Sequence, residues 1–439
     1  VAAPSPESSL LNRSPLIRLA WKTVRYGLAA VGPVGTAGAQ FVLSVQLLHG
    51  LSPDAFGTFS FLLVASQLST GVWSALFCAP MPILLSRDAH DDTAMRQCLM
   101  AANLALAVVA LAVFATLGLF LHSGLTASLL FAGYAMAMLL RWFARAYAYA
   151  IGKPWLTMAS DILYTVILLA GVVLSAISHS TSVLPAYASL LAAAALSLLP
   201  FGARYLKQQF LEVSPRAIPL YGAVWRQHAG WSLTGVVTTE ATTNAHAYIV
   251  TLISGATAFA PLAASALLMR PITVTTNALT EFERPQMARQ LAAGQTGEAL
   301  ATTRFFRIML IGAWAATVVV ALVLMRYAPG ALFPKTYDRG YLMIGTLLWL
   351  AIAGVRTART PESVLLQAAG QFKPLAHASM ISCGVSIIGV LGLLLLGGPL
   401  YSLVGVLLGE AVFAVWIWRA KERWRTRSTT DGVAMAVRP

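Results

Sequence analysis

The chain has 439 residues, 58% of them hydrophobic and only 10% charged, and its 30 Lys and Arg against 16 Asp and Glu give a formal net charge of +14. That composition describes a chain whose solvent is mostly lipid and excludes a water-soluble globule. The basic excess is spread over short loops beside apolar stretches, where orientation and anionic headgroups account for it, so no nucleic-acid partner is expected.

Residues 1–25 lack a short apolar region followed by a small-residue cleavage site, and are expected to stay as a basic cytoplasmic arm. Twelve apolar spans follow, at about 26–49, 57–82, 97–121, 125–145, 155–178, 183–203, 229–253, 257–280, 305–326, 340–360, 375–396 and 399–418. Each approaches the roughly 20 residues that cross a bilayer. With this count one set of alternate loops holds Arg13, Arg18, Lys22 and Arg25, then Arg87 and Arg96, then Arg141, Arg145 and Lys153, then Arg204, Lys207, Arg216 and Arg226. In the second half it holds Arg284, Arg289, Arg304 and Arg307, then Arg356, Arg359 and Lys373, and the basic residues from Arg419 onward. The opposite loops keep only Arg326, Lys335 and Arg339, and Arg270 falls inside a span. Because Lys and Arg in short connections stay cytoplasmic, both termini are expected inside. The predicted class is an all-α polytopic membrane protein.

The longest inner connection, 204–228, mixes charge, Pro and aromatics and reads as a linker between bundles at 26–203 and 229–418, with a basic tail at 419–439. A shift of 203 residues superposes Ala55-Phe56 on Ala258-Phe259, each in the outer turn between the first two spans of its half. A shift of 218 superposes Arg141 on Arg359 and Gly152 on Gly370, with a Lys-Pro close behind in both copies. Six spans per copy make this a parallel repeat about an axis along the membrane normal, with a substrate chamber expected between the halves.

Span seven, GWSLTGVVTTEATTNAHAYIVTLI, holds only seven Leu, Ile or Val. These contribute about −2 to −4 kcal/mol to insertion, while one mid-helix carboxylate alone costs roughly 3. It therefore cannot face lipid all round. At about 100° per residue Glu240, Thr243, Asn244 and Tyr248 form one stripe, and Thr239, Thr242 and His246 another beside it. Span eight carries Arg270 near mid-depth, with Thr273, Asn277 and Glu281 continuing its face, and the 203-residue shift sets Gln67 against Arg270. Span one adds Thr36, Gln40 and Ser44. These stripes are expected to line a hydrated chamber with a guanidinium at its centre.

Competing readings apply to several of these residues. Glu240 and Arg270 can neutralise each other as a structural pair. Asp161 suits snorkelling or helix pairing, Glu410 suits a cavity carboxylate or a packing contact, and His246 suits a satisfied interior histidine. Arg141 and Arg359, near inner ends, suit headgroup anchoring. Candidates for ion coupling are Glu240 first, His246 second, then Glu410 and Asp161. Pro80, Pro82, Pro261 and Pro271 mark expected bends. Cys78, Cys98 and Cys383 have no metal-ligand spacing, and neither GxxxxGK[ST] nor HExxH occurs, so no metal, cofactor or ATP-consuming domain is expected. The outer loops are too short for an integral-membrane glycosyltransferase, and no enzyme is predicted.

Gly35-Thr36-Ala37-Gly38 leads through span one into Leu51-Ser52-Pro53-Asp54-Ala55-Phe56-Gly57-Thr58-Phe59-Ser60, Arg141 to Pro154 reads RWFARAYAYAIGKP, and Leu365 to Gly370 reads LLQAAG. These segments, over essentially the whole chain, resemble the O-antigen and exopolysaccharide (Wzx-type) flippases of the multidrug/oligosaccharidyl-lipid/polysaccharide (MOP) superfamily. The second-half turn departs from the pattern, with Gly255, Ala256 and Ala260 where the first half has Ser52, Pro53 and Gly57. The resemblance implies a V-shaped bundle in a bacterial inner membrane that passes a polyprenyl-pyrophosphate-linked oligosaccharide between leaflets, with a polysaccharide polymerase and export machinery as partners. A cation-coupled drug antiporter of the same superfamily is the alternative, and a non-transporting scaffold subunit a third class.

Overall fold

The computed structural model describes residues 15–78, 81, 92–178, 182–328, 330, 333, 334 and 336–436, and among them the regular structure is entirely helical. Residues 1–14, Pro80, Pro82, Arg87, Lys335 and Arg438 lie outside this set, as does the side chain of Glu281. The first half consists of α1 (Pro15–Gly50), α2 (Pro53–Trp73), α3 (Asp92–Phe120), α4 (Leu125–Ala150), α5 (Pro154–Ile177) and α6 (Leu184–Leu196). The short α7 (Ala203–Phe210) and a π-helical segment Trp225–Ala229 lead into the second half. There α8 (Gly230–Ser254) is followed by α9 (Ala256–Ala266) and α10 (Arg270–Ala292), and then by α11 (Thr296–Tyr327), α12 (Arg339–Ala368), α13 (Phe372–Gly397) and α14 (Ser402–Ala436).

Local chemistry sets the ends of these helices. Ser52 caps α2 by accepting from the Ala55 amide at 3.3 Å, with Pro53 in the first turn, and Asp338 caps α12 by accepting from Tyr341 at 2.7 Å. Gly152 and Gly370, matched by the repeat, both take positive φ (71° and 69°). In each case the following amide, Lys153 or Gln371, reaches back to the carbonyl of Ala148 or Leu366, so α4 and α12 end in the same left-handed cap. Pro271 supplies no amide to the preceding turn, and the chain tightens into a 3-10 turn at Leu267–Met269 between α9 and α10.

Among the described residues ten helical segments are long and apolar enough to cross a membrane, α9 and α10 counting as one; α1 and α8 are not among them. For α8 the reason is its Thr, Glu, Asn and His content. The face of α11 carrying Ile308, Val319 and Val320 is more than half exposed, as suits a helix whose surroundings are acyl chains.

The halves share one plan. Packing of α1 on α5, α5 on α6, α4 on α6 and α3 on α4 is repeated by α8 on α13, α13 on α14, α12 on α14 and α11 on α12. Between halves, α1 packs on α10 and, reciprocally, α8 packs on α2. At the end expected to be outer, α2 meets α9, where the Thr257 hydroxyl donates to Asp54 at 3.0 Å and Gly57 faces Ala260. Both pairs are residues that the 203-residue shift superposes. A residue touches its own repeat mate only beside the axis relating the copies, so the axis runs through this crossing. Aromatic packing by Phe56, Phe59, Phe131 and Tyr187 backs it from the first half.

A Cβ on Gly57 would overlap the Ala256 carbonyl oxygen, which fixes how closely α2 and α9 approach. Gly57→Val is expected to cost about 1–3 kcal/mol, read as a lower thermal midpoint of the purified protein. Gly38→Ala, where nothing lies within 4 Å of the added carbon, should leave that midpoint unchanged.

Candidate functional site

Among the described residues each half holds a buried carboxylate gripped by two arginines, besides the buried Glu283 and Glu362 of the second half. In the first, Arg141 and Arg145 stand one turn apart on α4 and both donate to the same Asp161 oxygen on α5. Arg141 also donates from Nε to Ser160 at 3.0 Å and lies 4.7 Å over the Tyr164 ring. Arg141 and Asp161 are each 1% exposed. Gly32 of α1 leaves the room that the Asp161 carboxylate occupies.

In the second cluster, Arg356 and Arg359 share a face of α12 and hold Glu410 of α14. Arg356 donates from Nε to Oε1 at 2.6 Å and Arg359 from Nε to Oε2 at 2.9 Å, while the Arg359 guanidinium stacks 4.1 Å over Phe413. Glu410 is wholly buried. The 218-residue register superposes Arg141 on Arg359. The second arginine sits one turn after the first in α4 and one turn before it in α12, so helical geometry puts both on the same face. The carboxylates come from non-equivalent helices.

Arg270, at the break before α10, reaches across to the first half. Its Nη1 donates to the carbonyl of Gln40 on α1 at 3.1 Å, and Gln40 donates from Nε2 to the hydroxyls of Tyr164 at 2.9 Å and Tyr134 at 3.4 Å. Arg270, Gln40, Tyr164, Arg141 and Asp161 thus form one connected polar path through α10, α1, α5 and α4.

On α8, Glu240 is half-buried, accepts from Asn244 at 2.7 Å and faces α2 at Gly71. One turn on, Thr243 donates to Glu410 at 3.5 Å, so this stripe adjoins the second cluster. The neighbouring stripe has another task. Thr238 and Thr239 meet Ser379, Ser386 donates to the Thr242 carbonyl and Ser382 to the Gly409 carbonyl, which fastens α8 to α13 and α13 to α14. His246 continues that stripe, 3% exposed between the rings of Phe259 (6.1 Å) and Trp349 (5.1 Å).

The structure therefore connects Gln40, Arg270 and Asp161, and sets Glu240 and Asn244 next to Glu410. It does not bring in Gln67 or Asn277, which are exposed, nor Tyr248, which packs edge-on against Phe61 at 5.8 Å. Glu240 and Arg270 do not pair; each has the separate partner named above. Headgroup anchoring of Arg141 and Arg359 is corrected as well, because both turn inward to carboxylates on neighbouring helices. Sequence reasoning missed Arg145 and Arg356 as interior groups. The available signal was an arginine pair at helical spacing on the fourth span of each half, with a lone carboxylate in span five or twelve to receive it.

No protein-family model and no curated protein sequence matches the chain. Solved structures do. The lipid II flippase MurJ, in an inward closed conformation, superposes with a TM-score of 0.67 over 90% of this chain and 87% of that one, at 13% identity. The likeness is one of fold. A mutant of the Vibrio cholerae MATE transporter VcmN matches with a TM-score of 0.62 at 13% identity, covering 90% of this chain and 94% of that one. A Pyrococcus furiosus MOP transporter, in which reversed polarity of the binding pocket suggests a different function, matches with a TM-score of 0.62 at 14% identity over 92% and 95% of the two chains.

Two predictions test this geometry. Asp161→Asn leaves Arg141 and Arg145 facing each other without their carboxylate, and should destabilise the purified protein by about 3–5 kcal/mol in a thermal or denaturant melt. With cysteine placed singly at 244 or 246, an aqueous maleimide should label Asn244→Cys several-fold faster than His246→Cys.

Proposed function

We propose that this protein is a flippase that carries a polyprenyl-pyrophosphate-linked oligosaccharide repeat unit across a bacterial inner membrane, by alternating access of its two halves. The observation that carries this reading is the charge balance of the interior. Among the described residues Arg141, Arg145, Arg270, Arg307, Arg356, Arg359 and Lys421 stand against Asp161, Glu240, Glu283, Glu362 and Glu410. A transport path with a cationic surplus attracts an anionic cargo and disfavours an organic cation. Pyrophosphate supplies such a charge, and the oligosaccharide needs hydrated polar walls that spare it the cost of crossing hydrocarbon, while the lipid tail stays in the bilayer. The likeness to a lipid II flippase supports a lipid-linked cargo.

Glu240 is the candidate for coupling to a proton or sodium gradient, because it is half-buried and held only by Asn244 and not by an arginine. Glu410 and Asp161 are each committed to two arginines, and His246 is enclosed by aromatic rings, so these three fit structural duty better. A polysaccharide polymerase and export machinery are the expected partners, with both termini on their cytoplasmic side. The second reading, a cation-coupled drug antiporter, draws on the similar match to MATE transporters.

Leaflet-resolved labelling of lipid-linked oligosaccharide in reconstituted vesicles separates the two. Protein-containing vesicles should expose the oligosaccharide on the opposite leaflet, and Glu240→Gln or Arg270→Gln should slow this at least about ten-fold, with unflipped repeat units accumulating in cells. Unchanged flipping combined with altered drug resistance would favour the antiporter.

A further inference from the structure

The two arginine clusters differ in how they are closed. In the first half the position matching Arg356 in the 218-residue register is Met138, whose sulfur lies 3.8 Å from Arg141 Nη1, so that side is sealed by an apolar group. In the second half the same place holds a guanidinium. Arg359 already brings both Nε and Nη2 to Oε2 of Glu410, and this one guanidinium matches its charge. Arg356 adds a second positive charge to a carboxylate that needs only one. Its side chain is 25% exposed, and its Nη2, although buried, meets no acceptor among the described residues. A charged nitrogen held out of water without a partner is costly, and calls for a water, an ion or a ligand to meet it.

Position gives that spare donor a use. Arg356 engages the Glu410 oxygen that Thr243 of α8 also touches, and Thr243 belongs to the stripe of Glu240 and Asn244. Glu240 faces α2 of the other half, so Arg356 lies one helix behind the contact between halves.

We propose that Arg356 is an anion-binding residue of the transport path, whose free guanidinium edge takes a phosphoryl or carboxylate oxygen of the cargo. A planar fork suits either group, and the shared chemistry is an oxyanion that accepts two parallel N–H bonds. Within the flippase reading, on which the identity of the cargo rests, the two sources are the pyrophosphate of the lipid carrier and a carboxylate on an acidic sugar. Arg356 then serves the second half as Arg270 serves the contact with the first.

The test uses the full-length protein in detergent or nanodiscs at low salt, with inorganic pyrophosphate and glucuronic acid as separate probes in calorimetric titrations. Arg356→Gln should weaken binding of the preferred probe at least roughly ten-fold, and Arg356→Lys, which keeps the charge but loses the fork, should fall between it and the unaltered protein. Which probe binds more tightly identifies the source of the oxyanion. The thermal midpoint of Arg356→Gln should hold, because Glu410 keeps Arg359; if it drops, the affinity of Arg356→Lys decides. Equal affinities across the three proteins, or no binding of either probe to the unaltered protein, would overturn the proposal and leave the spare nitrogen to water alone. Vesicle flipping measured in parallel keeps the two readings apart. Arg356-dependent binding without flipping removes the flippase and spares the site, whereas flipping with Arg356-independent binding does the reverse.

Discussion

An arginine inside a membrane bundle persists only if a carboxylate or a backbone carbonyl meets it, and this requirement shapes each half of the molecule. Moving a guanidinium to the level of the acyl chains is costly, and the attraction of a nearby carboxylate repays the cost only when the two are held in good geometry. Asp161 ties α5 to α4 through two arginines, and Glu410 ties α14 to α12 in the same way. A further buried carboxylate, Glu362, one turn beyond Arg359 on α12, engages Arg307 of α11 and Lys421 of α14. These ionic ties run within the halves. Between halves the polar contacts are single hydrogen bonds, such as Thr257 to Asp54 and Arg270 to a backbone carbonyl. Strong ties inside and light ties across are what two bodies need if they are to rock against each other.

Much of the fold was legible because lipid imposes a simple rule on composition. Span positions and the even count follow from hydropathy and loop charge, the repeat follows from residues that recur at shifts of 203 and 218, and the Gly152 and Gly370 match is the same left-handed cap in α4 and α12. The interior arginines were not legible by that rule. Sorting by loops reports the depth of a residue and says nothing of its direction around the helix, so Arg141 and Arg359 read as inner-end anchors. Direction depends on which helix packs alongside, and α5 and α14 supply the carboxylates only after the bundle has assembled.

The stripes of α8 make the same point at finer scale. Helical spacing separated Glu240, Thr243 and Asn244 from Thr242 and His246 correctly, but it did not say which stripe faces the other half. That choice is made by α13, whose Ser379, Ser382 and Ser386 fall at helical spacing and give hydroxyls to α8 and α14. Short hydroxyl side chains let helices approach closely while satisfying each other, so the threonine stripe goes to the helix contact. Glu240 is then left toward α2. A row of serines in span eleven was the available clue.

In the proposed transport cycle the contact that must yield is the one that costs least to break. Separating either carboxylate from its arginines would leave unpaired charge in a dry interior, at about 3–5 kcal/mol. Releasing Arg270 from the Gln40 carbonyl forfeits one charge-assisted hydrogen bond, about 1.5–3 kcal/mol, which water or an anionic cargo can replace. Arg270 also sits at the one place where its span is interrupted, between a 3-10 turn and Pro271, so rotation there disrupts less helical hydrogen bonding than elsewhere. Gln40 joins that movable contact to Tyr164 and Tyr134, and Tyr164 lies under the Arg141 guanidinium. A change at the contact between halves thus reaches the first cluster without requiring the cluster to open.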